Sequence, residues 1–363
     1  MIAILTSGVA LGVHVPGLLL ASRLREQGAE VMVNVLERLL PEDRRDAVAA
    51  SRTLFHRDFR TARAGQRLAS DPARSVPAGA LAELEQRWTD QNVRILVVFS
   101  GFWLSIADDF ARRSARPPRV VICHVDSAVS PSFRRAGPLP PGTEQLWLAS
   151  AADQALPWTV PVDPRPPVPW AERDERLLVH GGGWGMGTYR DRAVTLESAG
   201  HALDLVVHEA AEAQGGGPRS RYFMIDPAWH PWLDDGYPPL GRILPGQDMS
   251  TVRYSRGTTH HTSYDLARHA RAMVSKPGGG TLLDSLWSAT PLVLLEPSGE
   301  HEARNAELWT GLGFAVRYED WRAEKFGPGL LEPLHRALIG AAARPRDLAT
   351  ALAHTPEGAL CSG

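Results

Sequence analysis

The sequence repeats one alternation of buried strand and amphipathic helix on either side of a stretch that can be neither. IAILTSG reads as a buried strand, PGLLLASRLREQG as a helix opened by Pro16 and stopped by Gly28, and AEVMVNVL as the next strand. RILVVFS, FWLSIADDFARRSA and RVVICHVDS continue the pattern, with an arginine-rich segment, Glu42 to Asn92, inserted as polar-faced helices. Then PVDPRPPVPW, Pro161 to Trp170, brings five prolines in ten residues, which excludes a helix interior and a central strand alike. The pattern restarts in RLLVHGGGWGMGTY and runs on through ALDLVVHEA, RYFMID, ARAMVSK, TPLVLLEP and FAVRYED. Such alternation builds mainly parallel sheets covered on both faces. The expectation is an α/β chain of two Rossmann-like domains, 1–160 and 173–363, joined by a linker at 161–172. Leu330 to Leu352 should close the second domain as a helix pair. Open parallel sheets bind ligands beyond the carboxyl ends of their strands, so the two domains should face a shared cleft.

A chain of 363 residues with 44% hydrophobic residues can fill two such cores. Its net charge of −2 argues against nucleic acid or a membrane surface as partner, because polyanions demand a basic excess. No apolar run approaches the ~18 residues of a membrane span, and Met1 leads directly into the first strand. With only Cys123 and Cys361, neither a disulfide framework nor a cysteine zinc site is plausible. The chain is expected in the cytoplasm, with small molecules as partners; its oligomeric state is open.

The chemistry concentrates in SKPGGGTLLDSLWSA. A strand ends near Ser275 and a helix starts near Thr281, so Gly278, Gly279 and Gly280 form the turn at the helix N-terminus. Unpaired N–H groups and the positive end of the helix dipole point there, and glycines let a phosphate reach the backbone. A tight turn with no ligand is the competing reading. Asp284 lies one helical turn beyond Thr281, where it suits ribose hydroxyls, and SGEHEARNAELW then crowds Glu300, His301, Glu302, Arg304 and Asn305 into a loop and helix start. These are sugar-hydroxyl binders by type, although a solvated polar helix start has the same composition. A second glycine loop, HGGGWGMGT, offers the amides of Gly182, Gly183 and Gly185, or serves strand-to-helix packing.

The segment SKPGGGTLLDSLWSATPLVLLEPSGEHEARNAELWTGLGFAV resembles the nucleotide-sugar signature of GT-B glycosyltransferases, in particular the MurG, monoglycosyldiacylglycerol synthase and UDP-glycosyltransferase branches. The resemblance implies that Gly279, Gly280 and Thr281 hold a donor diphosphate, Asp284 its ribose, and Glu302 with Asn305 the hexose. It implies a UDP-sugar as co-substrate, no cofactor, and an inverting transfer to a small acceptor. The opening SGVALGVHVPGLLLASRLREQGAEV resembles the family's Gly-His-x-x-Pro loop with its register shifted by one, Val13 standing at the histidine position. His14 is then the leading base. Ser100 and Gly101 stand where the family's orienting acid is expected, so His124 and Asp126 in CHVDS are the substitutes, as partners or as the base itself.

No Asp-x-Asp occurs, and His260 with His261 are adjacent and so point apart on an extended loop; transfer without metal is expected. Arg134 and Arg135 belong to the acceptor side. The arginine-rich composition, the opening loop and SGEHEARNAELW resemble the cytosylglucuronic acid synthases, whose members join glucuronic acid from UDP-glucuronate to N1 of cytosine. That would ask for a cation near the hexose, Arg304 or Lys276, and a flat pocket typed by Phe102, Trp103, His124 and Asp126. A larger antibiotic or lipid acceptor, a nucleotide-sugar hydrolase or epimerase, and a non-catalytic sugar-nucleotide-binding subunit are the rivals.

Overall fold

The computed structural model describes residues 1–68, 71–137, 139, 142–214 and 217–354; Cys361 lies outside them. In the first half the order is β1 (Ile2–Thr6), α1 (Leu11–Glu26), β2 (Val31–Val35), α2 (Glu42–Arg57), α3 (Phe59–Leu68), α4 (Ala78–Asp90), β3 (Ile95–Val98), α5 (Leu104–Arg113), β4 (Arg119–His124), α6 (Pro131–Arg135) and β5 (Glu144–Trp147). All five strands are parallel, in the order β2-β1-β3-β4-β5. Residues of β1 and β3 are buried throughout, as their unbroken apolar runs require of strands covered on both faces.

After β6 (Trp158–Thr159) the second half runs β7 (Arg176–His180), α7 (Tyr189–Ser198), β8 (Ala202–Val207), β9 (Arg221–Ile225), β10 (Leu240–Ile243), β11 (Tyr254–Ser255), α8 (Ser263–His269), β12 (Ala272–Ser275), α9 (Gly279–Ser288), β13 (Leu292–Leu294), α10 (Glu300–Gly311), β14 (Ala315–Arg317), α11 (Tyr318–Ala323) and α12 (Leu331–Leu338). The sheet order is β11-β10-β9-β8-β7-β12-β13-β14. The strands from β9 to β14 in that row are parallel, while β10 and β11 add antiparallel at one edge. The connection from β9 to β10 contains no crossover helix, and a parallel pair would need one. The chain closes with β15 (Arg346–Asp347) and α13 (Leu348–His354).

Two expectations change. α1 begins at Leu11 rather than at Pro16, which therefore lies inside the helix. That places Leu11 to His14 in the first turn, at the cleft. The expected closing pair also divides. α13 returns to the first half, where Leu348, Ala349 and Leu352 share a core with Leu20 and Leu24 of α1. α1 thus has cover on every side, which explains why it is apolar around most of its circumference.

The linker is pinned rather than loose: Arg23 of α1 donates from Nε to Pro161 O at 3.0 Å and from Nη2 to Val162 O at 2.6 Å. The β9–β10 connection reaches back to the first half, Trp229 lying beside His14 and Trp232 against Gly8. Among the described residues no helix is long and apolar enough to cross a membrane.

Candidate active site

The carboxyl ends of both sheets converge on a cavity of about 350 Å³ lined from both halves. Two helix starts meet there. Gly278 caps α9, and Gly279, Gly280 and Thr281 form its first turn at the cavity wall. The first turn of α1 abuts it so closely that a Cβ on Gly280 would stand 3.3 Å from Gly12 Cα. A Cβ on Gly279 would lie 2.9 Å from Asp126 Oδ1 and 3.0 Å from the carbonyl carbon of Val125. The positive ends of both dipoles therefore face the same space, which favours an anion.

The loop after β7 lies opposite. Gly182 and Gly183 line the wall, and a Cβ on Gly183 would meet Leu11 at 2.5 Å, so the loop sits directly on α1. Gly185 is not at the wall; its carbonyl accepts from His56 Nδ1 of α2 at 2.7 Å, while His56 Nε2 meets Glu212 at 2.8 Å. His180, at the end of β7, also lines the cavity and accepts the Gly182 N–H at 3.1 Å. Burial, with the Lys276 charge beside it, lowers its pKa to about 4, so it stays neutral.

Lys276 lines the wall with its ammonium on Glu302, whose other oxygen accepts from Ser298 N at 2.6 Å. Burial works against the charge on Glu302, but Lys276 and His301 hold its carboxyl below the usual range. Asp284, half-buried on α9, meets His261 Nε2 at 3.1 Å, and both line the cavity. Burial raises the Asp284 carboxyl well above its usual range and lowers His261 to about 4, so the pair shares a hydrogen bond rather than opposite charges.

Other expected donor residues lie elsewhere. Asn305 is fully buried: Nδ2 donates to Asp126 Oδ1 and to Pro277 O, each at 2.8 Å, and Oδ1 accepts from Ser127 N at 2.7 Å. It stitches the two halves together behind the wall. Arg304 is exposed and pairs with Glu307 at 2.8 Å, one turn along its own helix.

On the acceptor side Phe102 and Asp126 line the cavity, with Phe55, Trp184 and Met186 extending an apolar shelf. Asp126 Oδ1 also receives the Gly279 N–H at 3.1 Å. Trp103 belongs to the core: its Nε1 donates to Thr6 O at 2.6 Å and its ring packs on Trp88. Arg134 bridges the cleft rim to Glu300 at 2.6 Å, both side chains largely exposed.

Neither candidate histidine reaches the wall. His14 is wholly buried; its Nδ1 meets Thr6 Oγ1 at 3.1 Å, and Nε2 finds no partner among the described residues. Burial, aided by the Arg38 charge, lowers its pKa to about 3. His124 stacks on Trp147 at 3.8 Å and meets Gln145 at 3.0 Å, burial lowering it to about 4.

His301, expected among the sugar-hydroxyl binders, lines the cavity; His180, Ser7 and Glu37 carry no such signal in their residue types, and residue typing weighs His261 only as a metal ligand. Ser7 lines the cavity at the end of β1 and donates to Glu37 Oε1 at 2.6 Å. Glu37 Oε2 accepts from Gly8 N at 2.6 Å. The one signal for it in the sequence was an acid embedded in the apolar run VMVNVLERLL.

No family model and no curated relative matches the chain. Solved structures do. The glycosyltransferase SnogD from Streptomyces nogalater superposes with a TM-score of 0.52 at 17% identity, over 96% of this chain and 97% of that one. The spinosyn rhamnosyltransferase SpnG gives 0.55 at 14%, over 98% and 99%. MurG from Acinetobacter baumannii gives 0.50 at 12%, over 96% of each. Two mainly parallel sheets facing one cavity, with a glycine junction at its wall, thus belong to an architecture already known: the chain has the GT-B fold of these glycosyltransferases.

Proposed function

We propose that the chain is an inverting glycosyltransferase that moves a sugar from a nucleoside diphosphate donor to a small acceptor. The observation that carries this is the start of α9, where three glycines and Thr281 lie at the cavity wall with Asp284 one turn further on. The first-turn amides would receive the diphosphate, Lys276 would neutralise part of its charge, and Asp284 with His261 would meet the ribose. These groups supply the charge stabilisation that a metal ion gives elsewhere, so the reading keeps the transfer metal-independent. A structural neighbour supports the donor class, SpnG having been solved in complex with thymidine diphosphate, with a TM-score of 0.50 at 15% identity.

UDP-glucuronate is the candidate donor and cytosine the candidate acceptor. Lys276 is the one of the two expected hexose cations that lines the cavity. The shelf of Phe55, Phe102 and Trp184 suits a flat ring, which Asp126 can meet with hydrogen-bond acceptors. Calorimetry with UDP and with thymidine diphosphate tests the fold-level reading, and absence of binding to both overturns it. Incubation of cytosine with UDP-glucuronate, then with UDP-glucose, tests the substrates by mass spectrometry. A new nucleoside of glucuronate is the expected product; its absence in protein that transfers to another acceptor overturns the pair.

A further inference from the structure

Transfer requires a group that takes the acceptor's proton, and the identity of that group rests on the glycosyl transfer proposed above. Of the three expected bases, His14 and His124 are off the wall, and Asp126 Oδ1 is held between Gly279 N–H and Asn305 Nδ2. Ser7 offers another path. A hydroxyl has one hydrogen, and that of Ser7 is committed to Glu37 Oε1 at 2.6 Å. Toward all other neighbours Ser7 Oγ presents lone pairs, one of which receives Val9 N–H at 3.3 Å. The second can accept an O–H or N–H from the cavity, which Ser7 lines.

We propose that Ser7 and Glu37 form the proton relay of this site, Ser7 touching the acceptor and Glu37 receiving the proton through it. As the acceptor's oxygen or nitrogen bonds to the anomeric carbon, the bond from that carbon to the diphosphate oxygen breaks. The diphosphate leaves with the electron pair. The acceptor's proton passes to Ser7 Oγ while Ser7 passes its own to Glu37 Oε1, and the proton returns to solvent by the same route after product release.

The surroundings of Glu37 suit this task. It is fully buried, and its oxygens meet the Ser7 hydroxyl and the N–H groups of Gly8 and Val9. The charged and titratable groups around the corner are engaged elsewhere. Arg38 pairs with Asp235 and Asp234 with Arg256, each at 2.7 Å, while His14 meets Thr6 and His230 stacks on Trp232. Burial raises the Glu37 carboxyl above its usual range, making its anion a stronger proton acceptor than an exposed glutamate.

The same contacts hold the opening loop in place, so the test separates chemistry from support. Release of nucleoside diphosphate from UDP-glucuronate, UDP-glucose and dTDP-glucose is followed with cytosine and with water alone, in the full chain. Glu37→Gln keeps an oxygen for the loop amides but cannot take the proton. It should lower kcat by about 10²–10⁴ and remove the acid limb of kcat against pH, with UDP affinity within about twofold of the parent. Ser7→Ala should do the same, and the double variant should be no slower than either single one, since the two act as a unit. Where Glu37→Gln fails to fold, Ser7→Ala carries the test. Retained kcat and acid limb in both variants, with turnover lost in Asp126→Asn, overturns the relay and leaves the transfer reading standing. If the parent chain binds neither UDP nor thymidine diphosphate and consumes none of the donors, the transfer reading itself falls.

Discussion

The two helix starts that meet at the cavity are built by different means. α9 presents backbone: a glycine cap and first-turn amides with no Cβ on the first two residues, one of these amides meeting Asp126 of the other half. α1 begins at an alanine cap with no side-chain hydrogen bond, and the loop before it is held from behind by Glu37. Recognition by amides depends on chain direction and on the absence of Cβ atoms, both written locally. The proposed side-chain set, Ser7, Glu37 and Asp126, comes from three separate segments, so no short stretch of sequence records it.

If α9 works through close backbone approach, the largest effect should come from filling that approach. Gly279→Val would drive a side chain into Val125 and Asp126 of the opposite half, and donor turnover should fall at least about 100-fold, in line with the cost of misplacing reacting groups. Turnover near the parent value would break the contrast. Next, Asp284→Ala leaves His261 without its partner and removes the proposed ribose contact; at about 1–3 kcal/mol for the lost hydrogen bonds, UDP should bind roughly 5- to 150-fold more weakly by calorimetry.

At α1 the effect of His14 should be structural. Its pKa is about 3 when folded against an ordinary 6.5, so the unfolded chain binds the proton more tightly. The stability it confers is present above 6.5 and is lost as pH falls from there toward 3, by about 1.4 kcal/mol at roughly pH 5.5. Urea melts of His14→Gln should therefore show a shallower acid decline than the parent, and an equal decline would assign the acid sensitivity to other groups. Arg134→Ala removes an exposed pair at the rim and should change kcat/KM at most about fivefold, less at high salt.

The two-sheet plan was legible because unbroken apolar strands and amphipathic helices alternate in the chain. The glycine junction was legible because its three glycines, Thr281 and Asp284 lie within seven residues of one another, Gly278 to Asp284. The placement of His14 could not be read from the chain: its position is right for the cleft, but the helix starts at Leu11 and turns that side chain inward onto Thr6 and Trp229. Asn305 and Arg304 are adjacent on α10, yet one is buried across the seam and the other is exposed. A 100° step per residue decides between them, and composition does not record it. Glu37 gained its place only through the fold, which sets the turn after β2 behind the end of β1.

The chain passes between its halves twice, and the two passages lie side by side: Arg346 and Asp347 of β15 pair in parallel with Trp158 and Thr159 of β6. Arg346 N donates to Pro157 O at 3.0 Å, and its guanidinium lies 4.1 Å over the Trp158 ring. A single strand between two bodies is a swivel, about which either can spin. A paired ribbon resists that spin. The two crossings of this protein therefore brace each other, and the start of α1 is held against the start of α9 by two strands rather than one.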